Sequence, residues 1–253
     1  MILSERHQLI VLHARKAAGS SLCVSLARSL GAEDLQISAL PETMALGIPL
    51  TDRVRRVALR QSRHLLPLWR LLGPGAYRRA LTRAVDHAHR PLLGRKPPHA
   101  PAARVAAAFP DAWSRFRKLV IVRNPWDKTV SDYFWRIQNC RRPPSFATYL
   151  QALAAGDALG GIVPLAFHDN WPMYTIEDRV VADTVVRFEQ LEPGLGQFFR
   201  EAGIDWDGWL PRSKGGHRPR GAAGGYRSYY SPELERLVGR LYAREIDHFG
   251  YRF

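Results

Sequence analysis

The chain has 253 residues, a formal net charge of +14 and 46% hydrophobic residues. That length holds one substantial core or two small ones, and one α/β domain is the simpler arrangement. Two cysteines, Cys23 and Cys140, exclude a disulfide framework and a structural zinc site. Both fall on stretches predicted to be helical, as buried thiols.

The N-terminal residues lack the basic head and apolar run of a signal peptide, and no window has the length and apolarity of a spanning helix. The expectation is a soluble, cytoplasmic protein. The charge is uneven. Residues 52–96 hold eleven arginines and Lys96 against Asp52 and Asp86, a net +10, which leaves about +4 for the rest. Such a local excess implies an anionic partner for that segment.

Taken in chain order, Leu9-Ile10-Val11-Leu12 is a short apolar run bounded by polar residues, which predicts a strand covered on both faces. After a tight loop, Ser20 or Ser21 is the expected N-cap of a helix that carries Leu22, Val24, Leu26 and Leu30 and stops at Gly31. A strand, loop and helix in this order aim free N–H groups and the helix dipole at one point, where an anion would sit. Lys16 adds a full positive charge there. The loop is not a Walker A motif, because Lys16 precedes Gly19 and the usual metal-binding geometry is not encoded. An ordinary strand-to-helix turn with a surface lysine fits the same residues.

Residues 34–40 suggest a second strand, and 41–51 are rich in turn formers. From Asp52 the composition shifts to Arg, Leu and Ala, with Val54, Val57, Ala58, Leu65, Leu68, Trp69 and Leu72 near helical spacing. Pro67 interrupts this helix, Gly73-Pro74-Gly75 ends it, and a second basic stretch runs from Tyr77 to His89. Residues 43–98 read as a basic helical insertion within a single domain of 1–253. A helix follows from His99. Lys118 to Val122 is the clearest central strand, and it runs into Arg123 and an Asn124-Pro125 helix start with Val130, Phe134 and Ile137 on the buried face.

The loop Arg15-Lys16-Ala17-Ala18-Gly19-Ser20-Ser21 resembles the 5′-phosphosulfate loop of sulfotransferases that use 3′-phosphoadenosine 5′-phosphosulfate (PAPS). The branch is the carbohydrate-type, bacterial sulfotransferase family 2-like one, whose loop runs Pro-Lys-x-x-Gly-Thr/Ser-Ser. Arg15 stands where Pro is usual, and Ser20 where Thr is common. Val122-Arg123-Asn124-Pro125-Trp126-Asp127-Lys128-Thr129-Val130-Ser131 is similar to that family's second motif, with Lys128 where Arg is more frequent. The run Arg187-Phe188-Glu189-Gln190-Leu191 and the ending Asp247-His248-Phe249-Gly250-Tyr251 also resemble it. The matching stretches cover about half of the chain, and residues 43–98 carry none.

The resemblance implies a P-loop NTPase-like parallel sheet flanked by helices. It implies transfer of a sulfuryl group from PAPS to a hydroxyl, or less readily an amine, of a carbohydrate, glycolipid or small hydroxylated metabolite, with 3′-phosphoadenosine 5′-phosphate (PAP) as product and no metal. Arg15, Lys16, Gly19, Ser20, Ser21 and Leu22 would hold the phosphosulfate, and Arg123 and Ser131 the 3′-phosphate. Lys214 and Arg218, on a basic loop at 212–220, would close over the nucleotide. His99, in a His-Ala-x-Ala run, is the candidate general base, followed by His13 and then His168, while Lys16 would stabilise the leaving group. A structural salt bridge is the competing role for Arg123, and a structural helix-end role for His99. The basic segment suggests a glycan or lipid-linked acceptor, or peripheral contact with an anionic membrane at its inner face.

Two other classes fit less well. A nucleotide kinase needs a magnesium site that the loop lacks. A nucleic-acid-binding protein would explain the charge, but the arginines interleave with Leu and Ala and no RNA-binding signature is present.

Overall fold

A computed structural model of the protein describes residues 1–62, 71–157, 159, 168–213 and 225–253. Its contacts form two compact units. One comprises Met1–Ala14, Ala18–Ile121 and Pro172–Ser213, the other Arg15–Ala17, Val122–Trp171 and Lys214–Phe253.

The first unit is α/β, with a five-stranded sheet in the order β3-β1-β2-β4-β7 flanked by helices. The strands are β1 (Ile2–Ser4), β2 (Leu9–Leu12), β3 (Leu35–Gln36), β4 (Arg117–Val122) and β7 (Thr184–Arg187). A two-stranded ribbon, β5 (Thr175–Ile176) with β6 (Arg179–Val180), lies outside the sheet. The parallel sheet expected from sequence is corrected to a mixed one. A short turn after Ser4 returns the chain at once, so β1 pairs antiparallel with β2 (Leu3 opposite Ile10) and also with β3. Strands β2 and β4 are parallel neighbours, with Leu12 opposite Val120. All four residues of β2 are buried, as a strand covered on both faces requires.

Helix α1 (Gly19–Leu26) follows β2 and buries all eight of its residues. Its N-cap is Ala18, in the left-handed conformation with no side-chain hydrogen bond, and not Ser20 or Ser21. The tight loop turns at Ala18, so both serines already lie inside the helix. Cys23 is buried within α1.

Helix α2 (Leu40–Ala45) starts where strand had been expected to continue, and is followed by α3 (Asp52–Ser62) and α4 (Pro74–Leu93). Gly73 (φ 94°) and Gly94 (φ 86°) bracket α4 in a backbone region that side chains resist. Val54 and Ala58 of α3 are buried, as are Leu81, Ala84 and Val85 of α4, and the two helices pack on each other and on neighbouring elements of the sheet-bearing unit. Leu65, Pro67, Leu68 and Trp69 lie outside the described residues. Helices α5 (Ala102–Ala108) and α6 (Pro110–Arg115) lead into β4, and α9 (Leu191–Glu201) packs on β7.

The second unit is helical: α7 (Pro125–Ile137), α8 (Phe146–Ala155), α10 (Pro232–Leu241) and α11 (Ala243–Phe249). The Asn124-Pro125 start forms as expected, with Asn124 Oδ1 accepting from the Trp126 N–H at 3.0 Å. Ser231 likewise caps α10, accepting from Leu234 N–H at 3.4 Å. On α7, Val130 is buried as expected, but Phe134 and Ile137 are only half-buried, while Asp132 and Arg136 are buried. Cys140 lies half-buried beyond the end of α7, not on a helix. No described helix is long and apolar enough to cross a membrane.

Candidate functional site

In the sheet-bearing unit, β2 is followed by His13, whose buried ring turns back onto α1. A Cβ built on Gly19 would lie 2.1 Å from His13 Cδ2 and 2.5 Å from Nε2. Only glycine leaves room for that imidazole, which gives Gly19 a steric reason in addition to any ligand role. His13 Nδ1 is 2.6 Å from Ser38 Oγ, and Ser38 Oγ donates to the Pro98 carbonyl at 3.1 Å.

The ring of His99 stands 4.5 Å from that of His13, centroid to centroid. His99 Nδ1 is 2.9 Å from the His13 carbonyl oxygen. A carbonyl only accepts, so Nδ1 carries the hydrogen and the neutral ring keeps its lone pair on Nε2. A base needs that tautomer. The hydroxyl of Ser21 accepts from Ser213 N–H at 3.2 Å. The N–H of Leu22 is committed to the Ala18 carbonyl at 3.1 Å. Of the loop amides proposed to meet a ligand, those of Gly19, Ser20 and Ser21 precede this first intrahelical bond.

Residues 15–17 belong to the helical unit, and four side chains there hold them. Asn170, which is buried, accepts from the Arg15 N–H at 2.9 Å and donates to the Arg15 carbonyl at 3.0 Å. The Arg15 guanidinium reaches Asp132 at 3.5 Å. Arg123 Nη1 donates to the Lys16 carbonyl at 2.9 Å. Lys16 Nζ lies 5.5 Å from the centroid of Trp135. Lys16 itself is left-handed (φ 58°), a conformation that a β-carbon disfavours and that surrounding structure must impose.

Asp132 is the electrostatic centre of this group. It accepts from Arg136 Nε at 2.6 Å and from Tyr149 Oη at 3.2 Å. Burial pushes its carboxyl up, but the guanidiniums of Arg136 and Arg15 outweigh burial and hold it below the ordinary carboxylate range. Burial lowers Arg15, against the opposing pull of Asp132.

Arg123 is also bound through Nε and Nη2 to Asp127 Oδ2, at 2.9 and 2.7 Å. Its charge therefore has a counterion in the first turn of α7. Ser131 is half-buried on the same helix.

His168 belongs to a different cluster. Its Nδ1 is 3.1 Å from Tyr242 Oη, and its carbonyl accepts from buried Lys128 at 3.0 Å. Burial, then Lys128, pushes the His168 imidazole below its ordinary value. Lys214 and Arg218 lie outside the described residues.

Asn170, Asp132, Asp127 and Ser38 were not legible as site residues. The i, i+4 spacings Arg123/Asp127 and Asp132/Arg136 could have pointed to two of these residues, Asp127 and Asp132. Nothing local marks Asn170 or Ser38. No family model, curated protein or solved structure matches the chain.

Proposed function

We propose that the chain transfers a sulfuryl group from PAPS to an acceptor hydroxyl, on a P-loop NTPase-like variant of the carbohydrate-type sulfotransferase fold. One observation carries the reading most. The two motifs that resemble that family follow the carboxyl ends of β2 and β4, which are parallel neighbours. Ligands of open α/β sheets collect beyond the carboxyl ends of such strands.

The loop also suits an anionic group. Lys16 brings a full positive charge to it, and the amides of Gly19, Ser20 and Ser21 precede the first intrahelical bond of α1. The donor supplies an activated sulfur whose bond to the 5′-phosphate can break. Lys16, with the amides of Gly19, Ser20 and Ser21, stabilises the charge that builds on that phosphate. Arg123 and Ser131 bind the 3′-phosphate, and Arg15 supports the loop. His99 Nε2 takes the proton from the acceptor hydroxyl as the acceptor oxygen bonds to sulfur and the sulfur–oxygen bond to the phosphate breaks. The acceptor classes are a glycan, a glycolipid or a small hydroxylated metabolite.

Calorimetry without divalent metal is the test, followed by transfer from radiolabelled PAPS to a panel of hydroxylated acceptors. PAP should bind in the absence of metal and more tightly than ATP. Tight ATP binding that requires magnesium would replace this reading with a kinase-like one.

A further inference from the structure

Ser38 lies between β3 and α2 and is sealed from solvent. Its main chain is pinned on two sides. The carbonyl accepts from Gln36 Nε2 at 2.9 Å, and the N–H donates to the Met1 carbonyl at 3.3 Å. A serine hydroxyl has one hydrogen and two lone pairs, and here all three are used. The hydrogen goes to the Pro98 carbonyl at 3.1 Å. One lone pair takes the main-chain nitrogen of Met1, which also donates to the Pro98 carbonyl at 2.9 Å. The other faces His13 Nδ1 at 2.6 Å.

Turning the hydroxyl hydrogen toward His13 would set two acceptor oxygens against each other across 3.1 Å, because a carbonyl cannot donate. Nδ1 of His13 therefore carries a hydrogen, as Nδ1 of His99 does toward the His13 carbonyl. The contacts close a circuit. It runs from the Ser38 hydroxyl to the His13 ring, from the His13 carbonyl to the His99 ring, and back through Pro98, the residue before His99, to the same hydroxyl. Turning either ring breaks a bond of that circuit.

We propose that Ser38 is a positioning residue for the imidazole pair. Its hydroxyl fixes the His13 ring with the hydrogen on Nδ1 and, through His13 and Pro98, holds His99 with Nε2 as the proton acceptor. The consequence for turnover rests on the reading of His99 as the base, whereas the hold on the two rings does not.

Two measurements test these apart. Imidazole nitrogen NMR of the full chain without ligand, at about pH 8 where an ordinary imidazole is neutral, reads which ring nitrogen carries the hydrogen. The unaltered chain should show it on Nδ1 of both His13 and His99. Ser38→Ala should move the His13 hydrogen to Nε2 or into exchange between the two nitrogens, and Ser38→Thr, which keeps the hydroxyl, should restore it to Nδ1. In transfer from PAPS, Ser38→Ala should lower kcat by about tenfold or more with KM for PAPS nearly unchanged, and Ser38→Thr should recover most of the loss. Hydrogen on Nε2 of His13 in the unaltered chain overturns the proposal, and that reading stands even if Ser38→Ala fails to fold. A folded Ser38→Ala protein with the unaltered pattern at both histidines also overturns it. Absence of transfer by an unaltered chain that shows the expected pattern removes the sulfuryl-transfer reading and leaves the hold of Ser38 on the pair in place.

Discussion

Asn170 and Arg15 are 155 positions apart in sequence, yet the side-chain amide of Asn170 bonds both main-chain polar groups of Arg15. The amide thus serves a loop residue as a neighbouring strand would serve a sheet residue. Replacing Asn170 with Asp keeps the acceptor for the Arg15 N–H but sets a carboxylate oxygen against the Arg15 carbonyl. The expected result is a loss of about 1–3 kcal/mol in stability and PAP binding weakened by about tenfold or more. A folded Asn170→Asp protein with unchanged PAP affinity would show that the clamp does not shape the loop.

Gly19→Ala should destabilise the protein by about 1–3 kcal/mol, because the new methyl meets the His13 ring. In a His13→Ala background the same substitution should cost much less. Such non-additivity, read from denaturant melts of all four proteins, is the signature of a direct clash. Equal costs in both backgrounds would mean that the restriction on Gly19 lies elsewhere.

Arg123→Ala should weaken PAP by about 2–3 kcal/mol while changing adenosine 5′-phosphosulfate much less, since only PAP carries the 3′-phosphate. Asp127→Asn gives the converse test. It removes the carboxylate that now accepts from Arg123, so PAP affinity should rise. If Arg123 serves only its ion pair with Asp127, neither substitution will discriminate between the two nucleotides.

His99→Ala should lower turnover by roughly two to four orders of magnitude and leave PAP affinity nearly unchanged. A variant that retains most of its turnover would pass the role to His13, whose ring is in contact with that of His99.

Burial lowers the imidazoles of His89 and His168 below the ordinary 6.5. Below that value the unfolded chain takes up protons that the folded chain resists, so folding stability rises with pH through this range. Both contributions are present above about pH 6.5 and are lost as pH falls through the lowered folded values. Urea melts from about pH 8 to about pH 5 should show the decline, and a His89→Gln/His168→Gln protein should show a shallower one. An identical slope in that variant would assign the pH dependence to other groups.

What the sequence made legible was local. The caps at Asn124 and Ser231 each place a polar side chain just before a proline, a pattern that carries its own geometry. Strand β4 declares itself through a β-branched run. Strand β1 does not, because its three residues are organised by partners on both sides. The cap at Ala18 was equally hidden, since an alanine in the left-handed conformation carries no signal in the sequence.

On α7, apolar periodicity pointed to Phe134 and Ile137 and passed over Asp132 and Arg136. Hydropathy counts a charged residue as exposed, and only the partner that neutralises it makes burial tolerable. The Asn170 clamp left no trace in the sequence, because its partner is distant and its own neighbours are unremarkable.

Each unit contains one thiol. Cys23 is sealed inside α1 of the sheet-bearing unit, and Cys140 sits half-buried past α7 in the helical unit. The chain thus comes with two internal clocks. A thiol reagent added to the native protein modifies Cys140 early, at a rate set by small local fluctuations, whereas Cys23 must wait until the surroundings of α1 open. Mass spectrometry of the time course would time the opening of each half with no engineered label.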